Sequence, residues 1–277
     1  MVKRILKLWA LYARMDWQYT TQDAFTACVT LLCELLWGVA SLTGTALLAV
    51  RFGGVGSLSA AEVLAMLSFH LFASGCQVVL FTGNNVSAIS RRIGRAQVDH
   101  MFLQPLPLWA QLLTEGCMPV SGSQQLLAGI AALCVFVPRA GVCVTPGWIA
   151  LLLLLTACRL VIYLATAYLA GTAAFYNPVG CEELSDIVLS LLDTVADYPL
   201  SGMPRPLTGV LLTVLPLGVL TYLPGLILLG RLDAIWAAWP LCLALVLTTA
   251  AQKLFRKGLN HYVQTGCARY KSMGHRN

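Results

Sequence analysis

Charge is what this sequence has least of. Asp, Glu, Lys and Arg make up 11% of its 277 residues, where a soluble domain carries about a quarter. With 58% apolar residues and a mean hydropathy of +0.76, a soluble globular class is excluded and an integral membrane protein is implied. The net charge of +6 is too small, in so apolar a chain, to mark a nucleic-acid footprint; no nucleic-acid partner is expected. Signatures of chemistry are missing too. No G-x-x-x-x-G-K-[ST] run occurs, so no P-loop binds ATP on this chain. There is no G-x-S-x-G, no H-E-x-x-H, and no carboxylate pair at span ends of the kind an intramembrane protease uses. The ten cysteines form no C-x-x-C pair. Most of them, Cys28, Cys33, Cys76, Cys117, Cys134, Cys158 and Cys242, lie in apolar runs, where cysteine behaves as a small hydrophobe. Neither a disulfide framework nor a metal site is expected. Arg14, Asp16 and Gln18 interrupt the basic N-terminus, so no cleavable signal peptide is expected either.

What the sequence does have is a series of apolar runs. A helical span needs about 20 such residues, and six stretches qualify: 24–50, 61–83, 108–137, 148–174, 207–229 and 234–254. In hydrocarbon every backbone polar group must be satisfied internally, and the alternating pattern of a barrel is lacking. The expected fold is therefore an all-α integral membrane domain of six spans covering residues 1–277. Lys and Arg orient it. With the N-terminus inside, 14 of the 18 lie in inner segments and Arg51, Arg139 and Arg231 in outer loops, with Arg159 mid-span. Both termini are expected on the cytoplasmic side of the inner (plasma) membrane, with 255–277 as a cytoplasmic tail. The Asn85-Val86-Ser87 sequon then faces the cytoplasm, unmodified. In the first 20 residues, Ile5, Leu8, Trp9, Tyr12 and Tyr19 recur at helical spacing, with Lys3, Lys7, Arg14 and Gln18 largely on other faces. Such a basic, aromatic amphipathic helix lies in the membrane interface, either as an elbow that positions the first span or as a plain anchor.

The turn between the second and third spans, SRRIGRAQVDHMFLQPLP, is out of character with its surroundings. Arg91, Arg92 and Arg95 suit an inner surface and by themselves only set topology. Asp99, His100 and Phe102 follow on a short helical stretch, about 90–104, that Pro105 and Pro107 stop. Rigidly joined to two spans, this helix could pass a push from a cytosolic partner into the bilayer. A second segment, 182–199, holds Asp186, Asp193 and Asp197 and reads as too polar to span. It is expected as a helix on the inner surface or a second partner contact. In the fifth span Pro216 and Pro224 break the helix, and 224–239 is expected to dip back as a re-entrant outer pair.

Four ionisable residues fall inside apolar runs: Glu34, His70, Glu115 and Arg159. A charge at the bilayer centre costs about 2.5–3.5 kcal/mol on insertion scales, so such groups face protein or water and are paired. Glu34 and Arg159 lie at matching depth, and an ion pair between them is expected, with a structural or substrate-path role. Glu115 suits gating or substrate entry; His70 suits a hydrogen bond between helices or a proton or substrate role. Small residues at Ala167 and Gly171, and at Gly38 and Ser41, allow close helix approach.

Four runs in order, RRIGRAQVDHMFLQPLP, DYPLSGMPRPL, LPLGVLTYLPGLILLG and FRKGLNHY, complete the pattern. With them the chain resembles the permease subunits of type-2 ATP-binding-cassette (ABC) exporters, in a bacterial subgroup whose ATPase is a separate polypeptide. The resemblance implies that 91–102 is a coupling helix docking in a groove on a cytosolic ABC ATPase. It implies outer helices between the last two spans, and a permease dimer, of identical copies or paralogues, whose first and fifth spans line the path. It also implies no catalytic residue and no cofactor on this chain, with ATP and Mg held by the partner ATPase. Two other readings stand beside it. One is a membrane enzyme acting on a lipid through His70, Glu34 and Arg159, against which their scatter over different spans argues. The other is a membrane sensor whose ATPase reports on a ligand without transport.

Overall fold

The computed structural model describes residues 2–81, 89–95, 97–213 and 217–265. The sequon at 85–87, Pro216 and the end of the expected tail lie outside them. An amphipathic α1 (Val2–Thr21) meets α2 (Ala24–Phe52) at a 112° bend. Asp23 caps α2, accepting from the Thr26 amide (2.9 Å) and hydroxyl (2.8 Å), and these bonds hold its carboxyl below the usual carboxylate range. Gly53, at φ +74°, ends α2 in the left-handed region. A hairpin of β1 (Gly54–Val55) and β2 (Leu58–Ser59) pairs Gly54 with Ser59 and Val55 with Leu58. It leads into α3 (Ala60–Phe81). Ser59 and Glu62 form a reciprocal cap at the start of α3: the Glu62 carboxylate accepts from the Ser59 amide (2.9 Å), and Ser59 Oγ accepts from the Glu62 amide (3.4 Å).

Two short helices follow, α4 (Ile89–Gly94) and α5 (Gln97–Met101), and then α6 (Leu108–Thr114) and α7 (Ser123–Arg139). The long α8 (Pro146–Thr172) begins with a Thr145 cap and a proline in its first turn, where no amide is needed. After a 3₁₀ turn at Ala173–Phe175 come α9 (Pro178–Ala196), α10 (Arg205–Thr213), α11 (Leu217–Leu220), α12 (Tyr222–Leu228) and, after a 3₁₀ turn at Ala234–Ala237, α13 (Ala238–Thr265). Three helices, Ala60–Phe81, Pro146–Phe175 and Ala234–Thr265, are each long and apolar enough to cross a membrane, and two bent pairs could raise the number to five.

The bundle has two distinct ends. At the hairpin end the Ser57 amide donates to Ser201 Oγ (2.8 Å), Arg231 pairs with Glu62 (2.5 Å), and Trp148 Nε1 donates to the Leu228 carbonyl (2.9 Å). At the opposite end α4, α5 and the termini of α8, α9 and α13 gather around Phe175.

The structure differs from the sequence expectation in three places. The third span, expected continuous over 108–137, is interrupted between α6 and α7. There the Met118 amide donates to the Val79 carbonyl (2.9 Å) of α3. The buried carboxylate of Asp16 on α1 accepts from the Val120 amide (2.7 Å), the Ser121 amide (3.1 Å) and the Ser121 hydroxyl (2.6 Å). Helix α1 is thereby pinned to the break.

The second difference concerns 182–199, expected to rest outside the bundle. Instead α9 runs antiparallel along α8. Asp193 accepts from the Tyr163 hydroxyl (3.3 Å), Asp197 sits against His70 (3.1 Å), and the chain continues to Ser201 at the hairpin end. Acidic side chains do not keep this helix out, because Asp193 and Asp197 find donors within the bundle.

Third, the main break in 207–229 lies earlier than Pro224, at a bend that fits a broken span or a re-entrant loop. A 69° bend separates Pro206–Thr213 from Leu217–Leu228. The α10 end lies by the hairpin end of α13, where the Leu212 carbonyl accepts from Trp239 Nε1 (2.9 Å). Beyond that bend, Leu217–Leu228 carries Thr221 beside Arg159 of α8 and reaches Leu228 at the hairpin end.

Tightest of all is the packing of α3 on α7. A Cβ at Gly75 would meet Leu126 backbone atoms at 2.5 Å, and one at Gly129 would meet Phe72 backbone atoms at 2.4 Å. Reciprocal glycines let two helix backbones touch, which the membrane rewards through dispersion. Gly129→Ala should therefore destabilise the protein by about 1–3 kcal/mol through overpacking. Gly44→Ala, with nothing within 4 Å of its Cβ, should be silent. Thermal unfolding of both variants in detergent checks the contrast.

Candidate functional site

Two clusters bring together the ionisable residues. The first is centred on Arg159, which is 1% exposed at the middle of α8. Its Nη1 donates to Thr221 Oγ1 (2.9 Å), to His70 Nδ1 (3.2 Å) and, at a long 3.5 Å, to the Leu220 carbonyl. Pro224 explains the last contact. Having no amide hydrogen, it cannot donate to the carbonyl four residues back, and the orphaned Leu220 carbonyl turns to arginine. Thr221 (φ −135°, ψ −49°) interrupts the helix between α11 and α12, and Pro224 sits in the first turn of α12.

His70 joins the same centre from α3. Nδ1 lies 3.0 Å from Thr221 Oγ1 and 3.2 Å from the arginine, and Nε2 lies 3.1 Å from Asp197 Oδ1. Arginine can only donate, so Nδ1 must present a lone pair, and the Asp197 carboxylate can only accept, so Nε2 carries the hydrogen. The imidazole is thus read as neutral, relaying between a guanidinium and a carboxylate. Asp193, bonded by Tyr163, is the second α9 carboxylate within electrostatic reach of the arginine. Four elements, α3, α8, α9 and the α11–α12 joint, meet at this one point.

The second cluster mounts α4 and α5. Ile89, Ile93, Val98 and Met101 are buried against Leu108, Leu112, Phe175, Phe255 and Tyr262. Phe255 sits edge-on to Phe175 (5.2 Å) and Tyr168 (5.4 Å). Polar contacts lock the mount. Tyr262 donates to Asp99 Oδ1 (2.8 Å), Arg92 pairs with Glu115, and Gln111 Nε2 donates to the Met101 (2.8 Å) and Leu106 (2.7 Å) carbonyls. Beyond this anchored face, Arg95 and His100 are exposed, Phe102 is 42% exposed and Leu103 is 83% exposed.

The candidate residues therefore sort by position. His70 meets Arg159, and Arg92 meets Glu115. Asp99 and Phe102 both lie against Tyr262, the latter with ring centroids 6.2 Å apart. Glu34 sits on α2, which packs against α3 and α7; its side chain, like that of Arg91, lies outside the described residues. The sequence reading passed over Asp197, Thr221, Tyr262 and Leu103. Tyr262 and Asp197 stood in two of the quoted runs, FRKGLNHY and DYPLSGMPRPL, but nothing in a linear pattern pairs them with Asp99 and His70.

Removing the guanidinium while keeping its bulk, as Arg159→Met, strands two carboxylates and should destabilise by about 3–5 kcal/mol. Asp197→Asn keeps an oxygen for the His70 hydrogen and should lose far less. Unfolding midpoints in detergent check the ranking, and equal losses would remove Arg159 from the centre of the account.

With this geometry in place, comparison with known proteins is direct. No curated protein and no solved structure matches the chain. A family model described as ABC-2 family transporter protein matches residues 35–266. That stretch takes in the Arg159 centre, the α4–α5 mount and the bent α10–α12 segment together, and the chain belongs to the ABC-2 transporter family, as a membrane permease component.

Proposed function

We propose that this chain is the permease subunit of an ATP-driven exporter, paired with a second permease and powered by separate cytosolic ATPase subunits that hold ATP and Mg. Six crossings, α2, α3, α6–α7, α8, α9 and α13, account for the alternation of chain ends between the two faces. The segment α10–α12 enters and leaves at the hairpin end, between the last two. Placing α9 fifth moves one arginine, Arg205, to the outer side and leaves the Lys and Arg bias intact, so the α4–α5 end is cytoplasmic. The 112° bend between α1 and α2 suits an elbow helix in the cytoplasmic interface.

One observation carries the reading. A short helical unit presents an apolar tip, Leu103, 83% exposed, while its other face is bolted to α6, α8 and α13. A bare leucine at a cytosolic surface is what a partner's groove would cover, and a rigid mount is what would transmit the push. ATPase closure then moves α4–α5 together with the ends of α8, α9 and α13. The permease dimer alternates between inward- and outward-facing states, and net export requires that substrate bind the two differently.

Leu103→Asp should lower the ATPase rate of the reconstituted complex about tenfold, as loss of an interface anchor does, without moving the unfolding midpoint of the permease. Tyr262→Phe, which removes its hydrogen bond to Asp99, should leave the ATPase bound but reduce its coupling to transport. A cysteine at 103 that crosslinks only to lipid, never to an ATPase, would remove the exporter assignment.

A further inference from the structure

A groove of about 360 Å³ opens between α6, α8 and α13, beside the α4–α5 mount, with which it shares Tyr168 and Phe255. Val161, Leu164 and Ala165 of α8, Leu113 of α6, and Thr248 and Ala251 of α13 line it, so its walls are almost wholly apolar. Its character changes toward the α4–α5 end, where Trp109, Gln252 and Arg256 stand at the mouth. From Thr248 to Arg256 is eight residues, about 12 Å of helix.

Arg256 is the unusual member. It is exposed and has no carboxylate or hydrogen-bond partner among the described residues. No acidic residue occurs anywhere in α13, while Lys253 and Lys257 flank the arginine. Glu115, at the end of α6, is committed to Arg92. Trp109 donates no indole hydrogen bond to any described residue; its backbone carbonyl instead takes the Tyr168 hydroxyl (2.9 Å), which joins α8 to α6 at the groove. The result is an apolar slot with uncompensated positive charge at one end.

We infer that this groove holds one anionic phospholipid of the surrounding bilayer, its acyl chain lying between α6, α8 and α13 and its phosphate meeting Arg256. The inference rests on the proposal that α8 and α13 cross the membrane, which puts Arg256 at headgroup depth. Charge complementarity selects the occupant. Basic pockets between spanning helices on the cytoplasmic side recruit anionic headgroups, and an arginine fork matches phosphate oxygens. Tryptophan at the same level belongs to the aromatic belt. A zwitterionic lipid would fill the slot equally well but gain less at the mouth, and a soluble anion would leave the apolar walls bare. The groove is not isolated from the cytosolic mount, since Phe255 lines it and also packs on Phe175.

Native mass spectrometry of the purified full-length chain in detergent tests this. Titrated with phosphatidylglycerol or phosphatidylcholine, the wild type should retain one phosphatidylglycerol in preference. Arg256→Gln should cut that preference about fivefold, the worth of one basic contact near a charged surface. Thr248→Phe, which fills the slot, should reduce retention of both lipids, and Arg139→Gln, at the hairpin end of α7, should change nothing. Equal retention of the two lipids by the wild type would overturn the inference. So would an undiminished preference in Arg256→Gln, whose exposed position keeps folding out of question. Lipid retention is read without any ATPase, so a failure of the exporter reading would appear separately, as absent ATPase coupling.

Discussion

A guanidinium buried in the middle of an apolar bundle is the constraint on which this architecture turns. Arg159 cannot shed its charge, and an unpaired charge at that depth is far costlier than any packing defect nearby. Its needs dictate where other elements lie. The α11–α12 joint brings it a hydroxyl and a freed carbonyl, and α3 brings an imidazole. The two aspartates of α9 supply the negative charge, one of them through that imidazole. Such a centre is a poor source of net stability but a strong source of uniqueness. No other register of α9 would bring Asp193 to Tyr163 and Asp197 to His70 at once.

That dependence explains why parts of the fold were legible in the sequence and others were not. The long apolar runs at α2, α3, α8 and α13 stand out because hydrocarbon demands a contiguous apolar helix, and no partner is needed to see them. The α9 helix was misplaced because hydropathy counts an aspartate as exposed whichever way it faces. Its acids point at donors that lie 30 and 127 residues away in sequence. The 207–229 run conceals its structure in the opposite sense. It is apolar enough to span, yet its middle is a joint, and the polar group that stabilises the joint sits on another helix. The prolines did signal a break: the 69° bend lies between Thr213 and Leu217, whereas Pro224, in the first turn of α12, starts a helix rather than ending one.

The basic turn after the second span shows a different limit. Its six candidate residues read as one set because they are neighbours in sequence. Folded, the five whose side chains are described divide by direction. Arg92 and Asp99 look inward and hold the helix to Glu115 and Tyr262, while Arg95, His100 and Phe102 look outward, joined by Leu103. Charge draws attention to the arginines, yet the tip also carries a leucine 83% exposed, which no charge pattern marks. In the proposed exporter, mount and tip need opposite chemistries: one must be satisfied within the chain, and the other left unsatisfied until a partner arrives.

The two clusters are joined by the α8–α9 hairpin. Phe175 and Tyr168, at one end of α8, belong to the α4–α5 mount, and Arg159 lies 16 residues from Phe175 along the same helix, about 24 Å. On α9, Cys181 packs against the mount and Asp197 closes the Arg159 centre. A helix pair so fastened at both ends has little freedom to bend between them, since close-packed interiors shift between discrete arrangements rather than deforming smoothly. In the proposed exporter, a displacement delivered at Leu103 would therefore reach Thr221 as a movement of that hairpin. The α11–α12 joint is where it would be felt first, because its polar groups are held from outside the helix, by a side chain that travels with α8.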